Sequence, residues 1–305
     1  MRPLPTTIAL LCALSGAAHA GAVAVPPDAP PPPHDFWSDV LDPHGAELAE
    51  ILRLVHDGNA LITSHLELGK DDASSHQKLL VEMRGMLRHA YVLSPDDPRV
   101  LGALAMVDDD LGLTDDARDL YRAALRAHAD VPGLHARYGL LALHRGEPDA
   151  LVHLVAATGP DAFDTTDNTS ALLAVANLAA RAGDVPAAED LLSPRGRTDR
   201  GGGMLAAFAL VVLYDRDEQL GKRDAALHAM RVQYESDFGN RVAQAIGLSR
   251  LPDPEDHFYY QALLYESEGA LLEARTEWAH YASVPDAPWR DRALAHLHDL
   301  DARHR

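Results

Sequence analysis

Cysteine is almost missing from this chain: its 305 residues contain one, Cys12. That residue sits in "MRPLPTTIALLCALSGAAHA", where Arg2, the apolar run Ile8 to Leu14 and the Ala18-His19-Ala20 ending read as a signal peptide cleaved after Ala20. The mature chain is then free of cysteine, which excludes disulfides, thiol nucleophiles and thiolate zinc sites. Long apolar runs are missing too. The leader's run falls far short of the ~20 residues that span a bilayer, so the expectation is a soluble, exported protein, periplasmic or secreted. Positive charge is scarce: 27 Lys and Arg face 46 Asp and Glu, a net charge of -19 that becomes -20 once Arg2 leaves with a leader holding no acid. Such a balance disfavours nucleic acid and anionic membrane surfaces and is permissive for a basic partner. Strand-like alternation of polar and apolar residues is also hard to find.

What is present begins with a spacer. Six prolines between Pro26 and Pro33 predict an extended polyproline II linker over residues 21–35. From Phe36 and Trp37 onward the sequence reads as short amphipathic helices, a repeat domain spanning 36–305. A ruler comes from "LGLTDDARDLYRAAL". Counting from Gly112, offsets of -11, -7, +5 and +9 fall on Leu101, Ala105, Ala117 and Tyr121. The same offsets give His135, Gly139, Leu151 (beside Ala150) and Val155 from Gly146, and Leu172, Ala176, Ala188 and Leu192 from Gly183. They give Leu210, Tyr214, Ala226 and Met230 from Gly221, and Phe258, Ala262, Ala274 and Trp278 from Gly269.

Five units emerge, their glycines 34, 37, 38 and 48 residues apart. In each, small residues seven before and five after the glycine let two antiparallel helices approach to ~8–10 Å. The glycine ends the first helix, and Thr114 or Asp184 helps to start the second. "GMLRHAYVLSPDDP" reads as the second helix of a preceding unit, with its joint at Lys70 to His76 and its first helix within Glu47 to Leu68. Trp289, Ala293, Leu297 and Leu300 predict a capping helix over about 286–305, apolar on one face and charged on the other.

These residues resemble the tetratricopeptide repeat, a two-helix unit of 34 residues, and "HAYVLSPDDPRVLGALAMVDDDLGLTDDARDLYRAAL" is the best match. The resemblance covers roughly Leu61 to Ala282. It departs from the family pattern where Leu101, His135, Leu172, Leu210 and Phe258 replace an early tryptophan, where Tyr214 replaces a small residue, and where Arg241 to Pro252 interrupts the register. A diverged helical solenoid of another kind stays open. The resemblance implies an all-α, right-handed superhelical solenoid of antiparallel hairpins whose first helices line a concave groove for a segment of a partner protein.

Carried over by offset, the groove candidates are Arg99, Met106, Asp109, Leu140, Leu173, Asn177, Phe208, Asp215, Glu218, Asp256, Tyr259, Leu263 and Glu266. Five acids stand against Arg99 alone. The Lys/Arg set with which some family members hold a terminal carboxylate is missing, so the expected ligand is a basic or mixed polar and apolar segment. Asp108, Asp109, Asp110, Asp217, Glu218 and Glu266 lie near first-helix C-termini, where the helix dipole disfavours negative charge. Asp109, Asn177, Asp215, Glu218, Tyr259 and Glu266 are therefore the predicted partner-binding groove, with Tyr259 expected to be exposed.

Arg195, Arg197 and Arg200, ahead of Gly201 to Gly203 at a helix start, form a basic island that could hold an anion, though without a nucleotide-loop ending. His135, His144 and His153 recur every nine residues, half a turn off helical register, and no His-Glu-x-x-His pair exists. No serine has a Gly-x-Ser-x-Gly setting. The reading is a non-catalytic interaction scaffold with a protein partner and no cofactor, metal or nucleic acid. Its alternatives are a small-anion binder or enzyme using the Arg195–Gly203 loop, and a self-assembling structural subunit.

Overall fold

A computed structural model describes residues 42–67, 73–128, 131, 133–159, 166–193, 201–234 and 237–303. The signal peptide, the proline-rich linker and Arg195, Arg197 and Arg200 lie outside the described residues. Among those described there are fourteen α-helices and no strand. Helices α1 (Pro43–Glu67) and α2 (Ala73–Leu93) precede four hairpins: α3 (Pro98–Asp110) with α4 (Thr114–Arg126), α5 (Leu134–His144) with α6 (Ala150–Ala156), α7 (Thr166–Arg181) with α8 (Val185–Leu192), and α9 (Gly201–Arg216) with α10 (Leu220–Tyr234). An inserted helix α11 (Phe238–Leu248) follows, then a fifth hairpin, α12 (Asp256–Glu268) with α13 (Leu271–Ser283), and a last helix α14 (Arg290–Arg303). No described helix is long and apolar enough to cross a membrane. The packing lies within the unit Glu47–Arg305. Helix α2 starts at Ala73, so the joint before it ends earlier than the Lys70 to His76 expectation.

All five hairpin joints share one geometry. At the first, Gly112 sits in the left-handed region at φ +75°. Its N–H donates to the Asp109 carbonyl at 3.0 Å, and the Leu113 N–H donates to the Asp108 carbonyl at 2.8 Å. This double closure satisfies the last orphan carbonyls of a helix and reverses the chain. The pattern recurs at Gly146, Gly183 and Gly269.

In the fourth hairpin the residue that takes this conformation is Glu218 at φ +55°, with its N–H bonded to the Asp215 carbonyl and the Gln219 N–H to the Tyr214 carbonyl. Gly221 instead lies inside α10. The ruler for that unit must therefore move back three residues. Joint spacings become 34, 37, 35 and 51, taken from positions 112, 146, 183, 218 and 269. Moving the ruler replaces Tyr214 by Val211 at the position seven before the joint, a smaller side chain that is fully buried. The position five after it is Arg223, and the helix it belongs to buries only Met230 and Tyr234.

Elsewhere the small residues sit where close approach requires them, with Ala105, Ala117, Ala188, Ala262 and Ala274 wholly buried. At Gly139 a Cβ would lie 2.9 Å from the backbone nitrogen of Leu154. In the second hairpin the buried pair is Ala150 and Leu154, one residue before Leu151 and Val155. Asp184 caps α8 through a 3.1 Å bond from the Ala187 N–H. Thr114 makes no such cap: it is the first residue of α4, whose cap position is Leu113. Helix α14 turns Ala293, His296 and Leu300 inward, with Trp289 and Leu297 partly buried against the same core. Tyr121 and Trp278, at the +9 positions of the first and fifth hairpins, have no exposed surface, and burial of such side chains contributes ~1.5–3 kcal/mol each.

Candidate functional site

The re-indexed joints make the acidic residues equivalent. Asp109, Asp215 and Glu266 each stand three residues before a left-handed joint residue, at the C-terminal end of a first helix. Each accepts a hydrogen bond from a buried aromatic: Tyr121 Oη on Asp109 at 3.2 Å, Trp278 Nε1 on Glu266 at 3.2 Å, and Tyr259 Oη on Asp215 at 2.7 Å. Cations from other elements complete the pairing and oppose the unfavourable dipole. Arg84 Nε meets Asp108 at 2.5 Å, Arg250 Nη1 meets Asp109 at 2.6 Å, and Arg137 Nη1 meets Asp110 at 3.0 Å.

Asp215 has no exposed side-chain surface and is held by Arg223 (2.9 Å), Arg292 (2.7 Å) and His296 (3.0 Å). Burial alone would raise its pKa, yet the bonds from His296 and Arg292 outweigh it and hold the carboxyl far below the usual range. His296 bridges to Glu266 through Nδ1 at 2.8 Å and stacks on Trp278 at 4.3 Å. Desolvation would lower the His296 pKa, but the bonds to Asp215 and Glu266 win and raise it. Two carboxylates on two ring nitrogens select the imidazolium. Glu266 is lowered despite desolvation because His296, Trp278 and Arg303 favour its charge.

Several expected groove residues are therefore placed differently. Tyr259, expected exposed, is 0% exposed and packs edge-on to Trp278 and Tyr281 at 4.7 and 5.0 Å. Its hydroxyl is a donor to Asp215, and its ring lies 4.5 Å from the Arg216 guanidinium. Leu140, Leu173, Phe208 and Leu263 are core residues, and Asp256 is buried against Arg216 at 2.6 Å. Arg99 is engaged with Asp97 at the start of α3, while Met106 is partly buried and lends its carbonyl to Arg137. Glu218 is exposed, and its conformation makes the fourth joint. The physical reason is common to these cases: the offsets that mark a helix face do not say whether another element covers it.

Here another element does. Ser249 leaves α11 in an extended conformation, and residues 249–256, which turn at Pro254 and Glu255 into the first residue of α12, meet side chains of four successive first helices. Arg250 reaches Asp109 and Asp110 on α3, and its N–H donates to Ser170 Oγ on α7 at 3.1 Å. His144 Nε2 on α5 lies 2.7 Å from the Pro252 carbonyl, so that nitrogen carries the proton. On α7, Asn177 Nδ2 donates to Asp253 at 3.1 Å and Arg181 Nη1 at 3.3 Å. On α9, Arg216 pairs with Asp256, and its other terminal nitrogen donates to Asn177 Oδ1 at 3.1 Å. Leu251 and Pro252 are buried beneath.

Asp110, His144, Arg181 and Arg216 occupy the same place in their hairpins, two residues before the joint residue. One position per repeat, in repeat order, thus holds one strap. Of the six predicted site residues, Asp109 and Asn177 touch this strap directly, while Asp215 and Glu266 belong to the His296 network beside it. The strap itself was missed. Its signal in the sequence was "SRLPDPED", an arginine and a proline at the end of the segment that interrupts the register and a second proline just after it.

His135, His144 and His153 do not converge on one point. His135 and His153 face each other across the second hairpin at 3.0 Å between their Nδ1 atoms, both with pKa values lowered by desolvation first, while His144 serves the strap. Among the described residues no group of three or more His, Cys, Asp or Glu side chains could hold a metal ion.

No family model matches the chain, and no curated protein matches it. Among solved structures, a tetratricopeptide repeat protein from Parabacteroides merdae ATCC 43184 is similar over 82% of this chain and 99% of its own, at 12% sequence identity and a TM-score of 0.43. The description of this chain as a row of antiparallel helical hairpins rests on its own five joints.

Proposed function

We propose that this protein is an exported, non-catalytic scaffold that binds a segment of a partner protein along the ends of its first helices. One observation carries the reading. Four successive hairpins present a polar side chain at the same position, and together they hold one short segment, here the chain's own connection from α11 into the first residue of α12. Such a row gives side-chain specificity to an extended ligand without any chemistry on it. The acidic pair Asp109 and Asp110 favours a segment that brings a cation, consistent with a basic or mixed polar and apolar partner.

Affinity capture from envelope extracts with the mature chain, followed by mass spectrometry, tests this. The expected result is a protein enriched over a heat-denatured control and lost when Asp110 and Arg181 are both replaced by alanine. Equal recovery with and without those side chains would place binding elsewhere and overturn the reading. Charge reversal at Asp215 is not a usable probe, because burying a lysine among Arg223, Arg292 and His296 reads folding rather than binding. Export carries its own check: N-terminal sequencing of the mature protein is expected to begin at Gly21.

A further inference from the structure

The strap shows which ligand its site accepts. We infer that the first-helix row recognises a segment with a cation, an apolar-proline pair and then a carboxylate, as in Arg250-Leu251-Pro252-Asp253, and that such a segment competes with the strap. The inference rests on the scaffold reading and specifies its partner.

Three observations lead there. First, the contacts are made almost wholly by side chains: among the bonds named, the strap's backbone contributes the Arg250 N–H and the Pro252 carbonyl. An incoming segment of the same order could reproduce those made by Arg250, Pro252 and Asp253, while the Arg216 pair with Asp256, the first residue of α12, stays in place. Second, the strap is additional to the hairpin plan. It lies in the interval between joints 218 and 269, 51 residues where the other intervals are 34 to 37. The helix leading into it, α11, buries only Phe238, Val242 and Ile246. Third, the charges enforce the order. Asp109 is 7% and Asp110 25% exposed at the side chain, and departure of Arg250 takes from Asp109 the cation it is paired with, while Asp110 keeps Arg137. Departure of Asp253 leaves Arg181 and Asn177 without their acceptor. Partly buried polar groups left unpaired are costly, here Asp109 and Asn177 rather than the exposed Arg181, so exchange is favourable only for a segment that restores a cation at α3 and a carboxylate at α7. His144 adds the need for a free carbonyl between them, which the residue before a turn-forming Asp-Pro supplies.

The probe is a fluorescein-labelled peptide of residues 247–256, GLSRLPDPED, added to the full mature chain. Two proteins are compared, the natural chain and one carrying Arg250→Ala and Asp253→Ala in its own strap. The weakened strap is expected to let the peptide bind saturably and at least about tenfold tighter than to the natural chain. A peptide with Arg250→Glu and Asp253→Arg is expected to bind neither. Equal affinity for the two proteins, or equal binding of the reversed peptide, overturns the inference.

Should the double variant lose its cooperative melt, the natural chain labelled with nitrogen-15 and titrated with unlabelled peptide gives the same decision. Displacement moves the Arg250 amide resonance, whereas an unmoved resonance at saturating peptide overturns the inference. A negative peptide result with positive capture in the extract experiment leaves the scaffold reading intact and removes only the strap chemistry. A negative capture with positive peptide binding does the reverse.

Discussion

Glu218 holds a backbone conformation that costs a residue with a side chain about 1–2 kcal/mol, a cost glycine avoids. Every other joint uses glycine there. Glu218→Gly is therefore expected to stabilise the chain by about 0.5–1 kcal/mol, seen as a higher urea midpoint at unchanged slope. A lower midpoint would put the joint elsewhere.

At the same scale, His296 ties α14 to α9 and α12 through Asp215 and Glu266. Its pKa is raised in the fold, so its contribution is complete below the unfolded value of about 6.5 and is lost as pH rises through the folded one. Asp215 and Glu266 are lowered, and their contributions are lost only on acidification, below about pH 4. The stability difference between the natural chain and His296→Gln is thus predicted to be largest between about pH 4 and 6.5 and to shrink on the alkaline side. A difference independent of pH up to about pH 9 would mean that His296 is held neutral.

The hairpin was the most legible element, because its two requirements are local. A glycine can take φ near +75°, and small residues at fixed distance from it allow contact. Four of the five joints follow from that rule alone. The fourth did not, because the glycine at 221 is a coincidence three residues past the true joint, and a charged residue took the left-handed position instead. In hindsight Tyr214 at a supposedly small position was the warning. Close approach also gives a direct test. Gly139→Ala gains up to about 1 kcal/mol in helix propensity but drives a methyl into the Leu154 backbone nitrogen at 2.9 Å. The second hairpin is predicted to lose about 1–2 kcal/mol net in denaturant unfolding. A stabilised variant would show that the helices are farther apart.

At the scale of the molecule, local periodicity carries no information about what covers a helix face. The Arg250 contact with Asp109 spans 141 positions, and the His144 contact with Pro252 spans 108. No spacing rule connects them, so the acidic residues looked like an open surface when they are clamped by cations from distant elements. The dipole argument still pointed at the right residues. Carboxylates at helix C-termini do require a compensating reason, and inter-hairpin cations and the strap supply it.

A double-mutant cycle on Asp109 and Arg250, using alanine at each position and urea unfolding of the full mature chain, tests the strap most directly. The single changes and the double change are predicted to give a coupling energy of at least about 1 kcal/mol. Additivity within about 0.3 kcal/mol would mean that Arg250 does not rest on the first hairpin and that the strap does not cross the row.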